Sequence, residues 1–378
     1  MKSKEFLVVG GGLVGAAIAY GAVRSGASVT LLDQGDIAHR ASRGNFGLVW
    51  VQSKGAGKPG YARWCRDALG GYAAFAKELR QLTGVDVSLE RNGGFWIGFT
   101  EKELEAREEM LSKINASVGG IPYEVLNHAD LRQRLKHIGP KVAGGSYCPL
   151  DGQANPLKLL YALHAGLKAR GARLVSSVDV VHIGYRPKTK DFEAKSKDGQ
   201  TWQASRIAIA AGLGSTALAA QVGLHAPIVP NRGQVLITER LQPFLEYPTN
   251  KCRQTNEGTA QLGYSVEDVG LDTRTTTPSI QWIAKRAVDT FPILSSARLV
   301  RAWGALRVLT PDGLPIYQES AACPGAFVAT SHSGVSLAAA HALVLGPWMA
   351  GLAAAPDVIA EFDGDRFRDL TRTFSNAH

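Results

Sequence analysis

The first apolar runs of the chain alternate with a helical pattern in the order that a parallel α/β unit requires. Residues 5–10 form a short apolar run that ends in glycines, which predicts a buried strand. Residues 13–25 carry apolar side chains at helical spacing, and this pattern stops at Gly26. Residues 28–32 predict a second buried strand, which Asp33 closes. We therefore expect the start of the chain to fold as a βαβ unit.

The patterns that follow predict an insert of helices and strands. Residues 59–82 place aromatic and aliphatic side chains on or near one face, as expected of one long amphipathic helix. Residues 85–99 alternate between apolar and polar positions and predict strands with a turn. Thr100 and Glu103 have the spacing of a capping box, so a helix is expected to begin there and run through Met110.

The middle of the chain predicts two more helices and two stretches rich in strands. A short helix is expected near residues 128–136, and Asn155 is an N-cap candidate for a helix over 157–170. Residues 172–212 favour strands. Residues 227–276 hold short alternating runs between glycines, which indicates an antiparallel sheet.

The last third of the chain predicts a helix over residues 278–290 and a buried helix in the apolar stretch 335–355. His341, Gly346 and Pro347 interrupt that stretch, so it falls short of an uninterrupted membrane span. No transmembrane segment is expected.

This order of elements predicts an α/β fold of two domains. A Rossmann-like dinucleotide-binding domain is expected to be interrupted by an α+β substrate domain built on an antiparallel sheet. The first domain is expected to comprise residues 1–84, 143–226 and 300–378, and the second residues 85–142 and 227–299. The length of 378 residues agrees with two domains, because one hydrophobic core seldom organises so long a chain.

Composition and charge narrow the class of protein. Hydrophobic residues make up 45% and charged residues 20% of the chain, which excludes a disordered or fibrous protein. The net charge of +9 is spread along the chain, whereas a nucleic-acid surface is normally clustered, so nucleic acid is not expected as a partner. The excess of basic over acidic residues has three possible explanations: a solvated surface, an anionic substrate or an acidic partner.

The cysteines and the N-terminus bear on the compartment and on metals. No two cysteines form a C-x-x-C pair, so neither a zinc site nor a redox dithiol is expected. Residues 1–9 lack the apolar region and cleavage site of a secretory signal, and free cysteines fit a reducing cytoplasm. We expect a cytoplasmic protein without a metal. The cysteines are Cys65, Cys148, Cys252 and Cys323.

A glycine motif joins the first strand to the first helix. Residues 10–15 match G-x-G-x-x-G. In such a motif Gly10 permits the tight turn, Gly12 lets the backbone approach a pyrophosphate, and Gly15 lets helix and strand pack closely. Asp33 has the spacing of a carboxylate that accepts a hydrogen bond from a ribose 2′-hydroxyl. The motif predicts a dinucleotide but does not separate NAD from FAD.

Later segments decide between the two dinucleotides. Residues 41–47 are small and polar, residues 302–307 and 310–316 read Ala-Trp-Gly-Ala-Leu-Arg and Thr-Pro-Asp-Gly-Leu-Pro-Ile, and residues 330–335 contain a His-Ser-Gly turn. Together with the glycine motif, these segments resemble the D-amino-acid-oxidase-like family of FAD-dependent amine oxidoreductases, over nearly the whole chain. The resemblance implies FAD and disfavours an NAD-dependent dehydrogenase. No cysteine stands where covalent relatives link their flavin, so non-covalent FAD is expected.

The resemblance also implies which residues bind the cofactor. They come from the glycine motif, the second segment, a strand beside the adenine, a small-residue pair after another strand, and the C-terminal turn. The expected FAD contacts are Gly10, Gly12, Leu13, Val14, Gly15, Asp33, Gln34, Ser42, Arg43, Gly44, Asn45, Gly47, Leu48, Val180, Ala211, Gly212, Arg307, Ser333, Gly334, Val335 and Ser336.

Three residues are candidates for contact with the substrate or the reacting flavin. Arg307 stands where relatives hold a substrate carboxylate with an arginine, although a surface arginine or a structural ion pair is the plain alternative. His332 lies in the turn that faces the flavin pyrimidine ring, and a packed turn histidine fits the sequence equally well. Arg253 is the third candidate, with a solvated arginine as its alternative. A substrate with two carboxylates would need a second cation, for which Arg253 and Arg232 are candidates.

The resemblance finally implies a reaction. Relatives oxidise a C–N bond by hydride transfer to flavin N5 and release an imine that water hydrolyses. Segments such as residues 151–156 and 231–235 resemble the catalytic β subunits of hetero-oligomeric dehydrogenases that act on opines such as octopine and nopaline, on D-hydroxyproline or on proline. Such a chain would work with partner subunits, with FMN as a further flavin at an interface, and could lie peripheral to the inner membrane through them.

Two alternatives stay open at this point. One is a self-contained glycine or D-amino-acid oxidase that produces hydrogen peroxide. The other is an RNA-linked or non-catalytic flavoprotein, against which the absence of a basic cluster argues.

Overall fold

A computed structural model describes residues 5–35 and 41–368 of the chain. The strands are β1 (Glu5–Val9), β2 (Ser28–Leu32), β3 (Leu48–Val49), β4 (Gly94–Gly98), β5 (Glu124–Asn127), β6 (Gly144–Cys148), β7 (Gly152–Gln153), β8 (Arg173–Val175), β9 (Val180–Arg186), β10 (Asp191–Ser196), β11 (Thr201–Ala204), β12 (Arg206–Ile209), β13 (Val229–Arg240), β14 (Cys252–Gln254), β15 (Thr259–Gly263), β16 (Leu299–Leu309), β17 (Ile316–Glu319) and β18 (Ala326–Thr330).

The α-helices lie mainly between these strands. They are α1 (Leu13–Arg24), α2 (Pro59–Gly70), α3 (Tyr72–Thr83), α4 (Glu101–Val118), α5 (His128–Arg134), α6 (Pro156–Ala169), α7 (Ser215–Ala220), α8 (Thr277–Thr290), α9 (Ala338–Ala340) and α10 (Gly346–Met349). A π-helical segment, His341–Leu345, joins α9 to α10.

A six-stranded sheet in the order β17-β18-β12-β1-β2-β8 organises the nucleotide-binding half. Neighbouring strands run parallel except β17, which pairs antiparallel with β18. Because β1 lies between β2 and β12, the turn that leaves β1 opens at the middle of the sheet's carboxyl edge. Helix α1 packs on α6 and on the C-terminal helices, and together they bury one face of the sheet. The predicted βαβ unit and the mixed α/β fold are confirmed.

A four-stranded antiparallel sheet, ordered β14-β15-β13-β16, forms the second main layer, as the pattern over residues 227–276 predicted. One face is apolar: Leu236 pairs with Leu262, and both join a core with Ile283 and Ala287 of α8. Side chains alternate along strands, so the opposite face carries a different set of residues. That opposite face meets the candidate site.

Three helix predictions need correction. Residues 59–82 form two helices, α2 and α3, because the chain breaks at Gly71, where an added Cβ would lie 3.0 Å from the Leu343 side chain. Helix α4 runs past Met110 to Val118, since the buried Leu111 and Ile114 continue its apolar face. The apolar stretch 335–355 is helical only from residue 338 to 349.

The division into two domains stays a prediction, and the strand pairing bears on its boundaries. Strand β6 pairs with β4 and β5 in a three-stranded sheet, and β16 pairs with β13 along most of its length. Strand β6 and all of β16 except Leu299 fall in segments that the sequence assigned to the nucleotide-binding domain. Within residues 5–35 and 41–368, no helix is long and apolar enough to cross a membrane.

Candidate active site

The glycine motif makes a turn that tolerates no side chain at two positions. Gly10 has φ +108°, and a Cβ added there would lie 2.3 Å from the carbonyl oxygen of Ala210. A Cβ on Gly15 would lie 1.9 Å from the carbonyl oxygen of Gly10. Strand β1, helix α1 and the end of β12 therefore meet more closely than any other residue would allow.

Polar contacts fix the shape of this turn. The Asp33 carboxylate accepts hydrogen bonds from the backbone N–H of Gly11 at 2.7 Å and of Gly35 at 3.0 Å. The Ser42 hydroxyl accepts a hydrogen bond of 2.9 Å from the N–H of Leu13, the first residue of α1. The first turn of α1 contains no acidic residue. A helix N-terminus without an acid attracts an anion such as a pyrophosphate.

A cavity of about 570 Å³ opens from this turn. It runs past the end of β12 and the start of β9 to the C-terminal turn after β18. The expected FAD residues and His332 that line it are Gly10, Gly12, Leu13, Val14, Asp33, Gln34, Ser42, Arg43, Asn45, Val180, Ala211, Gly212, His332 and Gly334.

Four further residues that were expected to contact FAD lie beside the cavity: Leu48, Ser333, Val335 and Ser336. The Ser333 hydroxyl forms a 2.9 Å hydrogen bond with the Tyr61 hydroxyl, and the carbonyl of Val335 accepts one of 2.9 Å from Tyr72. The Ser336 hydroxyl donates to the carbonyl of Leu48 at 3.1 Å. These residues do not line the cavity, but they tie the C-terminal turn to helices α2 and α3 and to strand β3.

The segment 44–47 lies across the polar face of the four-stranded sheet. A Cβ on Gly44 would lie 2.1 Å from the Ala305 side chain, so the backbone touches β16 directly. Further along, Gln261 donates to the carbonyl of Asn45 at 3.4 Å. The segment thus connects the cavity to the sheet.

Arg307 lies on the same face of this sheet and is partly buried. Its guanidinium donates through Nη1 to the Asn231 side-chain oxygen at 2.7 Å and to the carbonyl of Arg232 at 3.1 Å. Through Nη2 it donates to the carbonyl of Ser265 at 2.9 Å. Burial lowers the pKa of Arg307, and the guanidinium lies 5.0 Å from the centre of the Tyr264 ring. Among the described residues, no carboxylate forms an ion pair with Arg307.

A glycine makes room for this guanidinium. A Cβ on Gly233, the next residue along β13 from Arg232, would lie 2.3 Å from Arg307 Nη2. Only a residue without a side chain lets the guanidinium lie flat against β13.

The other two candidate arginines differ from Arg307. Arg253 is 4% exposed and hydrogen-bonds the side chains of Gln261 at 3.0 Å and Gln153 at 3.5 Å. Burial lowers its pKa to about 10. Arg253 does not line the cavity; it lies behind Gly47, whose added Cβ would be 2.9 Å from the guanidinium carbon.

Arg232 is 3% exposed and forms ion pairs with Glu267 at 2.6 Å and Asp272 at 3.0 Å. Two carboxylates already balance its charge. Arg232 therefore has a structural ion pair in this fold, and no local pattern could have paired it with residues about forty positions away.

The comparison with known proteins bears on the whole of this architecture. Residues 5–348 match the family described as DAO, FAD dependent oxidoreductase. The chain belongs to this family. An opine oxidase subunit of Rhizobium meliloti is 40% identical over 369 residues, which cover 97% of this chain and 98% of the relative. The opine oxidase subunit of the same name from Agrobacterium tumefaciens (strain Ach5) is 38% identical, with coverage of 97% and 98%.

A solved structure agrees with these relatives. The fold superposes on glycine oxidase from Geobacillus kaustophilus with a TM-score of 0.87 at 25% identity, covering 95% of this chain and 98% of that chain. The protein is thus an FAD-dependent oxidoreductase, as the sequence predicted.

The cavity fits the cofactor of this family. Its long form, the acid-free helix N-terminus and the Asp33 carboxylate suit a dinucleotide, and the buried Thr330 hydroxyl has no hydrogen-bond partner among the described residues. An unpaired buried hydroxyl is costly unless a ligand satisfies it. FAD is the expected ligand of this cavity.

Sequence reasoning missed several lining residues because they come from elements that only the fold brings together. Leu271, in the loop after β15, lines the cavity while remaining 59% exposed, and no motif surrounds it. Asp179 could have been inferred from its place one residue before Val180. The missed residues also include Leu160, Val178, Leu213, Gly214, Ala217 and Val308.

Proposed function

We propose that this chain oxidises the C–N bond of an opine, a secondary amine that carries carboxylates, as the catalytic subunit of a hetero-oligomeric enzyme. The observation that carries the proposal is the identity of 40% and 38% to two proteins named as opine oxidase subunits, over nearly the full length of each. The glycine oxidase structure shares the fold but only 25% identity.

In the proposed mechanism Arg307 binds a carboxylate of the substrate. Its Nη1 and Nη2 hydrogen bonds to the protein hold the guanidinium plane, and its Nε makes none to the described residues. A held, planar guanidinium without an ion-paired acid is well suited to a carboxylate. When bound, FAD supplies the hydride acceptor for oxidation of the carbon beside the amine nitrogen. Arg307 then fixes the orientation of that carbon.

Other residues of the chain keep the cofactor in register with Arg307. The segment 44–47 packs on the same sheet face that carries Arg307. The same face of the four-stranded sheet therefore supports both the cavity and the guanidinium that is proposed to bind substrate. Asp33 and the N-terminus of α1 hold the adenine end. His332 lines the cavity and is proposed to contact the flavin. Arg253 is proposed to support Gly47 from behind and not to touch substrate.

The proposed partners follow from the names of the two opine oxidase relatives, since each name designates one subunit of an enzyme and so implies at least one other. FMN at an interface with such a partner belongs to the same proposal. We place the reaction in the cytoplasm, in keeping with four cysteines that are all free in the described structure.

The test is a substrate panel with the purified yellow protein. Octopine, nopaline, D-hydroxyproline, proline and glycine are each supplied with an artificial electron acceptor, and in parallel with oxygen alone. The proposal expects dye reduction with an opine and little peroxide from any amine. Rapid peroxide formation from glycine, with no response to opines, would contradict it and favour a self-contained oxidase.

A matched measurement tests the partner. The chain is tagged in its native cells and purified. The molar ratio of each co-purifying protein to this chain is then measured. Another protein at a fixed ratio is expected. A chain that purifies alone, with full activity towards oxygen, would contradict the hetero-oligomeric part of the proposal.

A further inference from the structure

The segment between β15 and α8 contains an acidic residue whose contacts lead to Arg307. Glu267 accepts hydrogen bonds from Arg232 Nη2 at 2.6 Å and from Gln234 Nε2 at 2.9 Å. It also accepts one from the hydroxyl of Ser265. The Glu267 carboxylate thus accepts hydrogen bonds from two residues of β13 and from one residue of its own loop.

The backbone beside Glu267 pairs with β13 as well. The N–H of Arg232 donates to the carbonyl of Glu267 at 2.8 Å, and the N–H of Glu267 donates to the carbonyl of Arg232 at 3.0 Å. The Ser265 hydroxyl further accepts from the N–H of Gln234 at 2.9 Å. The loop is therefore fastened to the strand at Ser265 and at Glu267.

This fastening sets two of the atoms that hold Arg307. The carbonyl of Ser265 accepts from Nη2, and the carbonyl of Arg232 accepts from Nη1. Tyr264, next to Ser265, lies under the guanidinium. A shift of the loop would move the Ser265 carbonyl and the Tyr264 ring together, and Arg307 with them.

The acids of this cluster are bound by arginines other than Arg307. Glu267 and Asp272 both pair with Arg232, and Asp272 also pairs with Arg274. Neither acid pairs with Arg307, so within residues 5–35 and 41–368 no acid occupies its guanidinium. The arrangement leaves Arg307 available to an anionic group of a ligand.

We propose that Glu267 is a positioning residue, which orients Arg307 for a substrate carboxylate by fastening the segment 264–267 to β13. The inference rests on the proposed function, in which Arg307 binds that carboxylate. The inference goes beyond that function because it assigns the orientation of Arg307 to a residue that touches neither substrate nor cofactor.

The test is a double-mutant cycle with Glu267→Gln and Arg307→Ala, measured on the flavin-containing protein. The rate of flavin reduction against octopine concentration, without an electron acceptor, gives the apparent Kd and the limiting rate separately. Glu267→Gln is expected to raise the apparent Kd about tenfold and to change the limiting rate less than about threefold. In the Arg307→Ala background the same substitution should change the Kd less than about twofold.

Asp268→Asn provides the matched control. Asp268 is exposed, lies one residue further along the loop, and makes no hydrogen bond or ion pair within the described residues. Asp268→Asn removes one negative charge, as Glu267→Gln does, so it should leave the apparent Kd for octopine within about twofold of the parent value. An equal rise in both variants would mean that the charge of the loop, and not the fastening, matters, and would overturn the inference.

A second measurement separates this inference from the proposed function. Binding of pyruvate, a carboxylate that cannot be oxidised at a C–N bond, is followed by the change in flavin absorption. If octopine is not oxidised but pyruvate binding weakens in both Glu267→Gln and Arg307→Ala, the proposed substrate is wrong and the inference stands. If Arg307→Ala weakens binding of either compound and Glu267→Gln does not, the inference is overturned alone. If Arg307→Ala weakens neither, both fall.

Discussion

The two ends of the site are built in different ways. The adenine end depends mainly on residues 10–33, which follow one another in a single βαβ unit, and the end of β12 closes against it at Gly10. The Arg307 end draws on three distant segments: β13, the loop after β15, and β16. The first end can be recognised from a short motif. The second exists only once the antiparallel sheet has formed.

The largest expected effect is at the Arg307 end. Arg307→Ala removes a charged hydrogen-bonding group, so KM for octopine should rise about a hundredfold, while the flavin stays bound. Arg307→Lys should recover only part of this, because an ammonium cannot form a bidentate pair. Steady-state kinetics and the flavin-to-protein ratio measure both effects.

Arg301→Ala is the control for this substitution. Arg301 lies on the same strand, pairs with Ile237 and is exposed. Its removal should leave KM nearly unchanged. Equal effects at both positions would show that general positive charge, and not a held guanidinium, attracts the substrate.

The next effect belongs to the adenine end. Asp33→Ala removes the acceptor for the N–H groups of Gly11 and Gly35 and the expected acceptor for the ribose. The Kd for FAD should rise about thirtyfold, with kcat unchanged at saturating FAD. Titration of the flavin-free protein with FAD measures this, and Asp86→Ala, at an exposed ion pair, is the control. A fall in kcat at saturating FAD would contradict the separation of the two ends.

These two predictions also show what the sequence could and could not establish. The glycine turn, Asp33 and the strands around them follow from local patterns, because each needs only its neighbours in the chain. Arg307 was found through a family resemblance. Its partners were not: Asn231 and Ser265 lie 76 and 42 residues away from it. The register of β13 against β16 brings Asn231 to it, and the pairing of the loop after β15 with β13 brings Ser265.

The break at Gly71 likewise depends on a contact that the local sequence does not reveal. The apolar pattern over residues 59–82 continues across the break, so periodicity alone predicted one helix. The close approach of Leu343 comes from the C-terminal helix. Likewise, the sequence offered Arg232 as a free cation, and its acids in the loop after β15 became visible only in the fold.

A smaller effect is expected from a methyl group beside Arg307. Gly233→Ala would place its Cβ against the guanidinium, which is the flexible end of a side chain and can move aside. The fold should survive, and KM should rise about tenfold because Arg307 is displaced. Gly70→Ala is the control, since a Cβ there meets no atom within 4 Å. An unchanged KM would show that the observed position of Arg307 is not the one that binds substrate.

The smallest effect on the site is expected at Asp151, which contacts the chain just after strand β3. Asp151 is fully buried, accepts a hydrogen bond of 2.6 Å from the N–H of Val51, and burial raises its pKa from 3.8 to about 7. The folded state therefore binds a proton that the unfolded state releases between these values. This contribution to stability is complete below about pH 4 and is lost as the pH rises towards 7.

Asp151→Asn should remove that pH dependence. The substitution is expected to lower the free energy of unfolding more at pH 4.5 than at pH 7.5, by about 3 kcal/mol. Urea unfolding of both proteins at the two pH values measures the difference. A substitution that costs the same at both values would contradict the raised pKa.

The most direct test of the opine reaction at Arg307 is the reduction of the bound flavin by substrate in the absence of oxygen. The purified parent protein and Arg307→Ala are each mixed with octopine, nopaline or glycine, and the loss of the yellow colour is followed in time. We expect rapid bleaching of the parent by an opine, slow bleaching by glycine, and a need for far more opine in Arg307→Ala. Bleaching by glycine alone, or equal opine requirements in the two proteins, would contradict this expectation.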